Sequence, residues 1–258
     1  HMGVLTLRGA SAKEALQALV PTDLFRIGPG EACYTVLLNE RGGIRDDLIV
    51  YDRGWLADGH CHELLLVINA ACAEADTAWI GSQLEPQGIT VANRKGDGVL
   101  LALQGPDAQA RLEALSGANL AGLPRFGHRE LDLAGATAFV GRTGYTGEFG
   151  FELLPSWKDA EKVWDALVAA IQPFQGLVCG LGSRDTLRTE MGYPLHGHEL
   201  TLEITPVQAS ATWAIGWDKP TFSGATALTE QREAKVHTKL RALVSQDRGI
   251  PRAGMQIK

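Results

Sequence analysis

Two adjacent carboxylates raise the first question of chemistry. The stretch GGIRDDLIVY, residues 42–51, reads as a strand, yet Asp46 and Asp47 stand within it. Aspartate is a poor strand former, and a carboxylate on a buried face is costly unless something pairs with it. Successive side chains on a strand point to opposite faces. Asp46 therefore shares a face with Ile44, Leu48 and Val50, and Asp47 with Arg45, Ile49 and Tyr51. Both faces are otherwise largely apolar, so neither is plainly the wet one. A second candidate is RTGYTGEFGFELL, residues 142–154, in which Gly144, Gly147 and Gly150 recur every three residues around Glu148. A carboxylate there matches the paired N–H edge of an aminopyrimidine ring, accepting two hydrogen bonds side by side. The same spacing also fits a glycine-rich hairpin turn carrying a solvated Glu, and spacing alone favours that reading slightly.

Other motifs carry less. CGLGSRDTLRTE, residues 179–190, puts Gly180 and Gly182 before a helix but lacks the dinucleotide spacing and the P-loop lysine. Arg184, Arg188 and Glu190 fit a helix-surface charge network. HGHE, residues 196–199, offers two histidines and a glutamate without a third ligand at a known spacing, so no metal is expected. The four cysteines form no C-x-x-C pair and read as free thiols in a reducing compartment. No G-x-S-x-G elbow supports a serine hydrolase.

The elements that position these residues form a repeat. VLTLRGASAKEALQAL, residues 4–19, aligns without a gap to LLALQGPDAQARLEAL, residues 100–115. Each copy reads as a strand, a glycine turn and a helix opening on Ser11 or Asp107, both good N-caps. Strands are expected next around 34–38, 48–51 and 64–68, then a helix over 71–84 and a strand at 89–92. In the second copy strands are expected near 131–140 and 149–153, then a helix over 158–171 and a short strand at 177–179. Both copies approximate β-α-β-β-α-β, the ferredoxin-like pattern, which gives an α+β body of two halves with a pseudo-two-fold relation. The expected division is 1–96 and 97–180 for the halves, 181–235 for a helical and irregular segment, and 236–258 for the start of an incomplete C-terminal β-barrel domain. Asp47 and Glu148 both lie at or near the later hairpin strand of their halves, which places two carboxylates by a shared cleft.

The chain has 258 residues, 45% of them hydrophobic and 21% charged, enough for a substantial core. A net charge of −6 without a basic stripe argues against a nucleic-acid partner. No apolar run approaches a membrane span, so no membrane role is expected.

Three segments together, YTVLLNERGGIRDDLIVY, RTGYTGEFGFELL and GLGSRDTLRTEMGYPLHGHEL, closely resemble the aminomethyltransferase, or T-protein, family of the glycine cleavage system. LQGPDAQ and TPVQ fit as well, and the likeness runs over essentially the whole chain. The resemblance implies three domains around a folate-binding channel, with tetrahydrofolate as co-substrate and the lipoylated H-protein as partner. The one-carbon unit would pass from aminomethyl-lipoyl H-protein to tetrahydrofolate with release of ammonia. It implies a catalytic role for Asp47, a pterin contact for Glu148 beside Tyr145, and folate-pocket positions for Tyr34, Tyr51, Asn69 and Arg184. It implies action in the cytoplasm, or in the mitochondrial matrix of a eukaryote. Relative to the family pattern the chain looks shortened at both ends, and His196 stands where the family often has tyrosine. Two rivals share the resemblance: the folate-binding domain of a dimethylglycine- or sarcosine-type demethylating oxidoreductase, and a non-transferase folate-binding relative. The DDL stretch favours the T-protein over the first. The Lys-Gly-Cys-Tyr and Gly-Gln-Glu motifs expected of the second are not found.

Overall fold

The computed structural model describes residues 2–234, 238–246, 248–250, 252 and 254–256. The first repeat copy forms β1 (Gly3–Gly9) and α1 (Ala12–Gln17), followed by β2 (Ala32–Leu38), β3 (Ile44–Trp55), β4 (His62–Ile68), α2 (Ala73–Leu84) and β5 (Thr90–Asn93). The second forms β6 (Leu101–Gln104), α3 (Ala108–Ser116), β7 (His128–Asp132), β8 (Thr137–Gly141), β9 (Gly150–Pro155) and α4 (Ala160–Ile171). α5 (Leu181–Met191) and α6 (Ala225–Glu233) follow.

The five-stranded sheet runs β2-β3-β4-β1-β5 and the four-stranded sheet β6-β9-β8-β7. All named pairings are antiparallel. Matching β1 to β6 makes the order β2-β3-β4-β1 identical to β7-β8-β9-β6, so the repeat in sequence is a repeat in topology. Each half has one strand more between its helices than the β-α-β-β-α-β pattern. In the second, the expected strand near 131–140 is the β7–β8 hairpin, turned by Ala134 and Gly135 at φ 57° and 77°. The strand expected at 177–179 does not form. Leu177 and Val178 are exposed and make no ladder with the free edge of β6. α1 and α3 begin after Ser11 and Asp107 as expected, yet neither side chain makes a capping hydrogen bond. In the expected β-domain at 236–258, residues 236, 237, 247, 251, 253, 257 and 258 lie outside the described residues, and the others carry no strand.

Strand alternation sorts the core into layers. Leu5, Leu7, Leu64, Leu66 and Ile68 pack under α1 and α2 with Leu16 and Ile80. The opposite face of the same strands, Val4, Leu65, Val67 and Tyr51, meets Phe139 of the second sheet. Because both faces are buried, β4 reads as an almost continuous apolar run. Phe151, Leu153 and Val140 make the second half's own core with Leu112 and Val163. A fourth layer sets the site: Val36, Leu38 and Ile44, at the β2–β3 end, pack against Leu200, Val207, Ile215 and Phe222. The irregular segment after α5 is thereby folded back over the strand end that carries the two aspartates.

Candidate active site

On β3, Asp46 lies opposite Leu37 and Asp47 opposite Val36. Asp46 points inward and is fully buried. Its carboxylate is satisfied by Asn69, the residue just after β4. The Asn69 backbone N–H donates to Asp46 Oδ2 at 3.0 Å, and Asn69 Nδ2 donates to Asp46 Oδ1 at 2.8 Å. The same Nδ2 donates to Asp47 Oδ1 at 2.8 Å, so one amide fixes both acids. Asp46 is therefore a structural partner.

Asp47 faces a cavity of about 500 Å³. Burial, and next the neighbouring Asp46 charge, push its carboxyl up from 3.8 to about 6. Hydrogen bonds from Asn69 and the Tyr34 phenol, and the nearby His196, hold it from rising further. At neutral pH Asp47 is thus ionised for the most part, yet basic enough to take a proton. Tyr34 is itself fixed by Trp213, with ring centroids 5.1 Å apart.

The opposite wall comes from the glycine motif and the segment behind α5. Tyr145 O–H donates to the Pro194 carbonyl, the Tyr145 ring stacks on Tyr193 at 5.8 Å, and the Arg184 guanidinium lies 4.5 Å from the Tyr145 ring. The glycines of the motif have a steric cause. A Cβ on Gly144 would stand 2.1 Å from Gln104 Oε1, and one on Gly150 2.4 Å from Gln104 Cδ. Gln104 fills that space because its Nε2 donates to the carbonyls of Thr143 and Phe151, pinning the loop.

Tyr34, Asp47, Asn69, Tyr145 and Arg184 thus come together around one cavity. Tyr51 and Glu148 do not line it. Tyr51 is 1% exposed, edge-on to Phe139 and His128 between the two sheets. Its hydroxyl hydrogen-bonds Thr143 Oγ1 at 2.8 Å, and Thr143 Oγ1 donates to Glu152 Oε2 at 2.6 Å. Glu148 is exposed and borders a smaller, adjoining cavity of about 170 Å³ with Arg142 and Phe149, which shares Arg125, Phe126, Gly144 and Tyr193 with the first. Nor do Asp47 and Glu148 occupy equivalent places: β3 corresponds to β8, whereas Glu148 precedes β9, the counterpart of β4. The carboxylate facing Asp47's cavity is Glu152 on β9. Burial raises its pKa against the opposing hydrogen bond from Thr143 and charge of Arg184. Alternation could have found it. Phe151 and Leu153 belong to the second core, so Glu152 between them must face the other way.

Sequence reasoning also missed Arg125, Phe126 and Tyr193, which line the cavity from loops without periodic signal. His196 reaches the wall too, and its Nδ1 lies 3.4 Å from Cys72 Sγ. Neither His198 nor Glu199 joins it in a ligand cluster among the described residues. Among the described residues, no helix is long and apolar enough to cross a membrane.

This pair of matched sheets, with a folded-back segment closing an acid-bearing cavity, is the architecture of a known family domain. The family model described as GCVT N-terminal domain matches residues 1–219. The aminomethyltransferase of Synechococcus sp. (strain WH7803) is 52% identical over 262 residues, covering 100% of this chain and 70% of its own length. That of Parasynechococcus marenigrum (strain WH8102) is 54% identical over 256 residues, covering 98% and 68%. The crystal structure of glycine cleavage system aminomethyltransferase T from Bartonella henselae superposes with a TM-score of 0.79 at 34% identity, over 91% of this chain and 62% of that one. The chain belongs to the aminomethyltransferase, or glycine cleavage T-protein, family.

Proposed function

We propose that the chain transfers a one-carbon unit from the aminomethyl-lipoyl arm of an H-protein to tetrahydrofolate, releasing ammonia, in the cytoplasm. The observation that carries this reading is Asp47 itself: an anion with its pKa raised to about 6, fixed by Asn69 and Tyr34 on the wall of an aromatic cavity. The cavity fits the co-substrate in size and chemistry. About 500 Å³ lies within the usual range for a small-molecule site. The half-buried carboxylate of Glu152 offers two acceptor oxygens to the N–H edge of a reduced pterin, the chemistry first expected at Glu148. Tyr34, Tyr145, Tyr193, Phe126 and Trp213 supply flat apolar surface for the ring system.

Tetrahydrofolate supplies the nucleophilic nitrogen that captures the carbon. The protein's part is electrostatic and positional. Asp47 stabilises the positive charge that develops as ammonia leaves, and its Oδ atoms take the proton released at the folate nitrogen. Asn69 and Asp46 hold it still, so little reorganisation accompanies transfer. Seating the pterin against Asp47 and leaving the open side for the lipoyl arm converts a bimolecular encounter into an aligned one. The relatives' name, aminomethyltransferase, favours this over a demethylating oxidoreductase domain or a non-transferase folate binder.

Titrating the chain with tetrahydrofolate while following tryptophan fluorescence tests the site, because Trp213 lines it beside Tyr34. Saturable quenching at one equivalent per chain is expected, and quenching that is lost in Trp213→Phe while binding by dialysis persists. Absence of saturable binding would remove the reading.

A further inference from the structure

Behind the cavity wall, three residues from distant parts of the chain converge on one point. Asp46 comes from β3, Cys72 from the turn before α2, and His196 from the segment after α5. Their donor atoms, a carboxylate oxygen, Sγ and an imidazole nitrogen, all lie within 4.8 Å of one another. Cys72 Sγ and His196 Nδ1 are 3.4 Å apart. In a tetrahedral zinc sphere, sulfur, nitrogen and oxygen ligands stand roughly 3.3–3.6 Å from each other. One side of the triangle already has that length, and the others need to close by about 1.5 Å at most.

A second observation points the same way. Asp76, in the first turn of α2, is 3% exposed, and its Oδ2 has no hydrogen-bond partner. Burial and a hydrogen bond shared with Asp46 push the Asp76 carboxyl up to about 9, and Asp76 acts on Cys72 as well, so the oxygen left without a partner lies beside the cluster. Arg45, which stacks on Trp79 at 5.2 Å, is the cation facing Asp76, but its Nε donates to nothing. Asp46 and Asp76 are two buried acids with one guanidinium beside them. Such a group of acids is stable only with protons or a cation among them.

We propose that Asp46, Cys72 and His196 form a binding site for a divalent cation of the zinc class, with Asp76 as the adjoining acceptor. Thiolate and imidazole together select zinc over magnesium or calcium, which prefer all-oxygen shells. On binding, the Cys72 S–H bond gives way to a sulfur–metal bond and the proton leaves to solvent, with no change of oxidation state. The spacing of His196 and His198 in the sequence gives no hint of this, because the other ligands are brought in by β3 and the start of α2. The site is separate from the folate cavity but shares His196 with its wall, and Asn69 joins Asp46 to Asp47.

Equilibrium dialysis of the full chain against Zn²⁺ should give one ion per chain, with Mg²⁺ failing to compete. Co²⁺ as a spectroscopic probe should show a thiolate-to-cobalt charge-transfer band and the intense visible bands of a tetrahedral site. Cys72→Ser should abolish the charge-transfer band. It should weaken Zn²⁺ binding by more than the roughly 10- to 100-fold that loss of an outer partner costs. Cys179→Ser, which removes an exposed thiol, should leave both unchanged. If circular dichroism shows that Cys72→Ser does not fold, His196→Gln replaces it and should weaken Zn²⁺ binding by a similar factor. Absence of the charge-transfer band in the unmodified chain would overturn the proposal. So would its survival in Cys72→Ser, or unchanged Zn²⁺ affinity in the folded variant.

Discussion

Replacing Asp47 by asparagine separates the charge of this side chain from its shape. The amide oxygen can still accept from Asn69 Nδ2, and its NH₂ can donate to the Tyr34 hydroxyl, so packing is retained. What disappears is an anion whose pKa is raised from 3.8 to about 6. The sign of the stability effect follows from linkage. Below 3.8 the acid is protonated whether folded or unfolded and contributes nothing. Between 3.8 and about 6 the folded state holds the proton that the unfolded state has lost, so stability falls as pH rises. Above that range the cost is complete, about 2–3 kcal/mol. Asp47→Asn should therefore stabilise the fold at neutral pH, raising the melting temperature by several degrees, and the gain should vanish near pH 4. Transfer should move the other way. Removing a preorganised charge from a transfer site costs roughly 10²- to 10³-fold in kcat. The acid limb of the kcat profile, expected near the Asp47 pKa of about 6, should disappear with it. Thermal melts and initial rates on one preparation provide both readings. A variant less stable than the parent at pH 7 would refute the account of Asp47 as a strained anion. Full activity at saturating folate would refute its catalytic role.

Glu152→Gln replaces a two-acceptor edge by a mixed one and should weaken tetrahydrofolate binding roughly 10- to 100-fold by dialysis. Glu148→Gln should change it little; the reverse ranking would restore the assignment to Glu148. Gly144→Ala drives a methyl into Gln104 and should cost about 1–3 kcal/mol in urea unfolding. A neutral result would show that the loop yields freely. Lys13 Nζ donates to the fully buried Asp52 at 2.7 Å. Burial works against the Asp52 charge, but hydrogen bonds from Lys13, His62 and the Gly54 amide win and keep its pKa below 3.8. That stability is present above the unfolded value and lost as pH falls through the folded one. Lys13→Met should remove about 3 kcal/mol at pH 7 and move acid unfolding to higher pH, as far as the His62 contact does not compensate.

The repeat was legible because its two copies keep glycines and leucines in register, and the structure gives them the same strand order. Strand and helix positions followed from periodicity. The strand at 177–179 failed because an apolar run says nothing about whether a sheet edge receives it. Period-two alternation separated Asp46 from Asp47 but could not say which face held Asn69, since that contact joins residues 23 and 22 positions apart. Glu148 stands out through its glycine neighbours, but Gly144 and Gly150 answer to Gln104 and Gly147 to Met191 rather than to a ligand. Glu152 escaped notice although the same alternation places it, between two core residues, toward the cavity. Arg125, Phe126 and Tyr193 reach the cavity from loops and Trp213 from a single helical turn, where only tertiary packing decides position.

If Asp47, in this cavity, drives one-carbon transfer to tetrahydrofolate as proposed, its charge must set the rate. The most direct test is the rate of 5,10-methylenetetrahydrofolate formation from aminomethyl-lipoyl H-protein, compared in the chain and in Asp47→Asn across pH 5 to 8. Turnover is expected in the parent with an acid limb near pH 6, and a rate in the variant lower by about 10²-fold or more without that limb. Equal rates in the two proteins, or a limb that persists in the variant, would contradict the proposal.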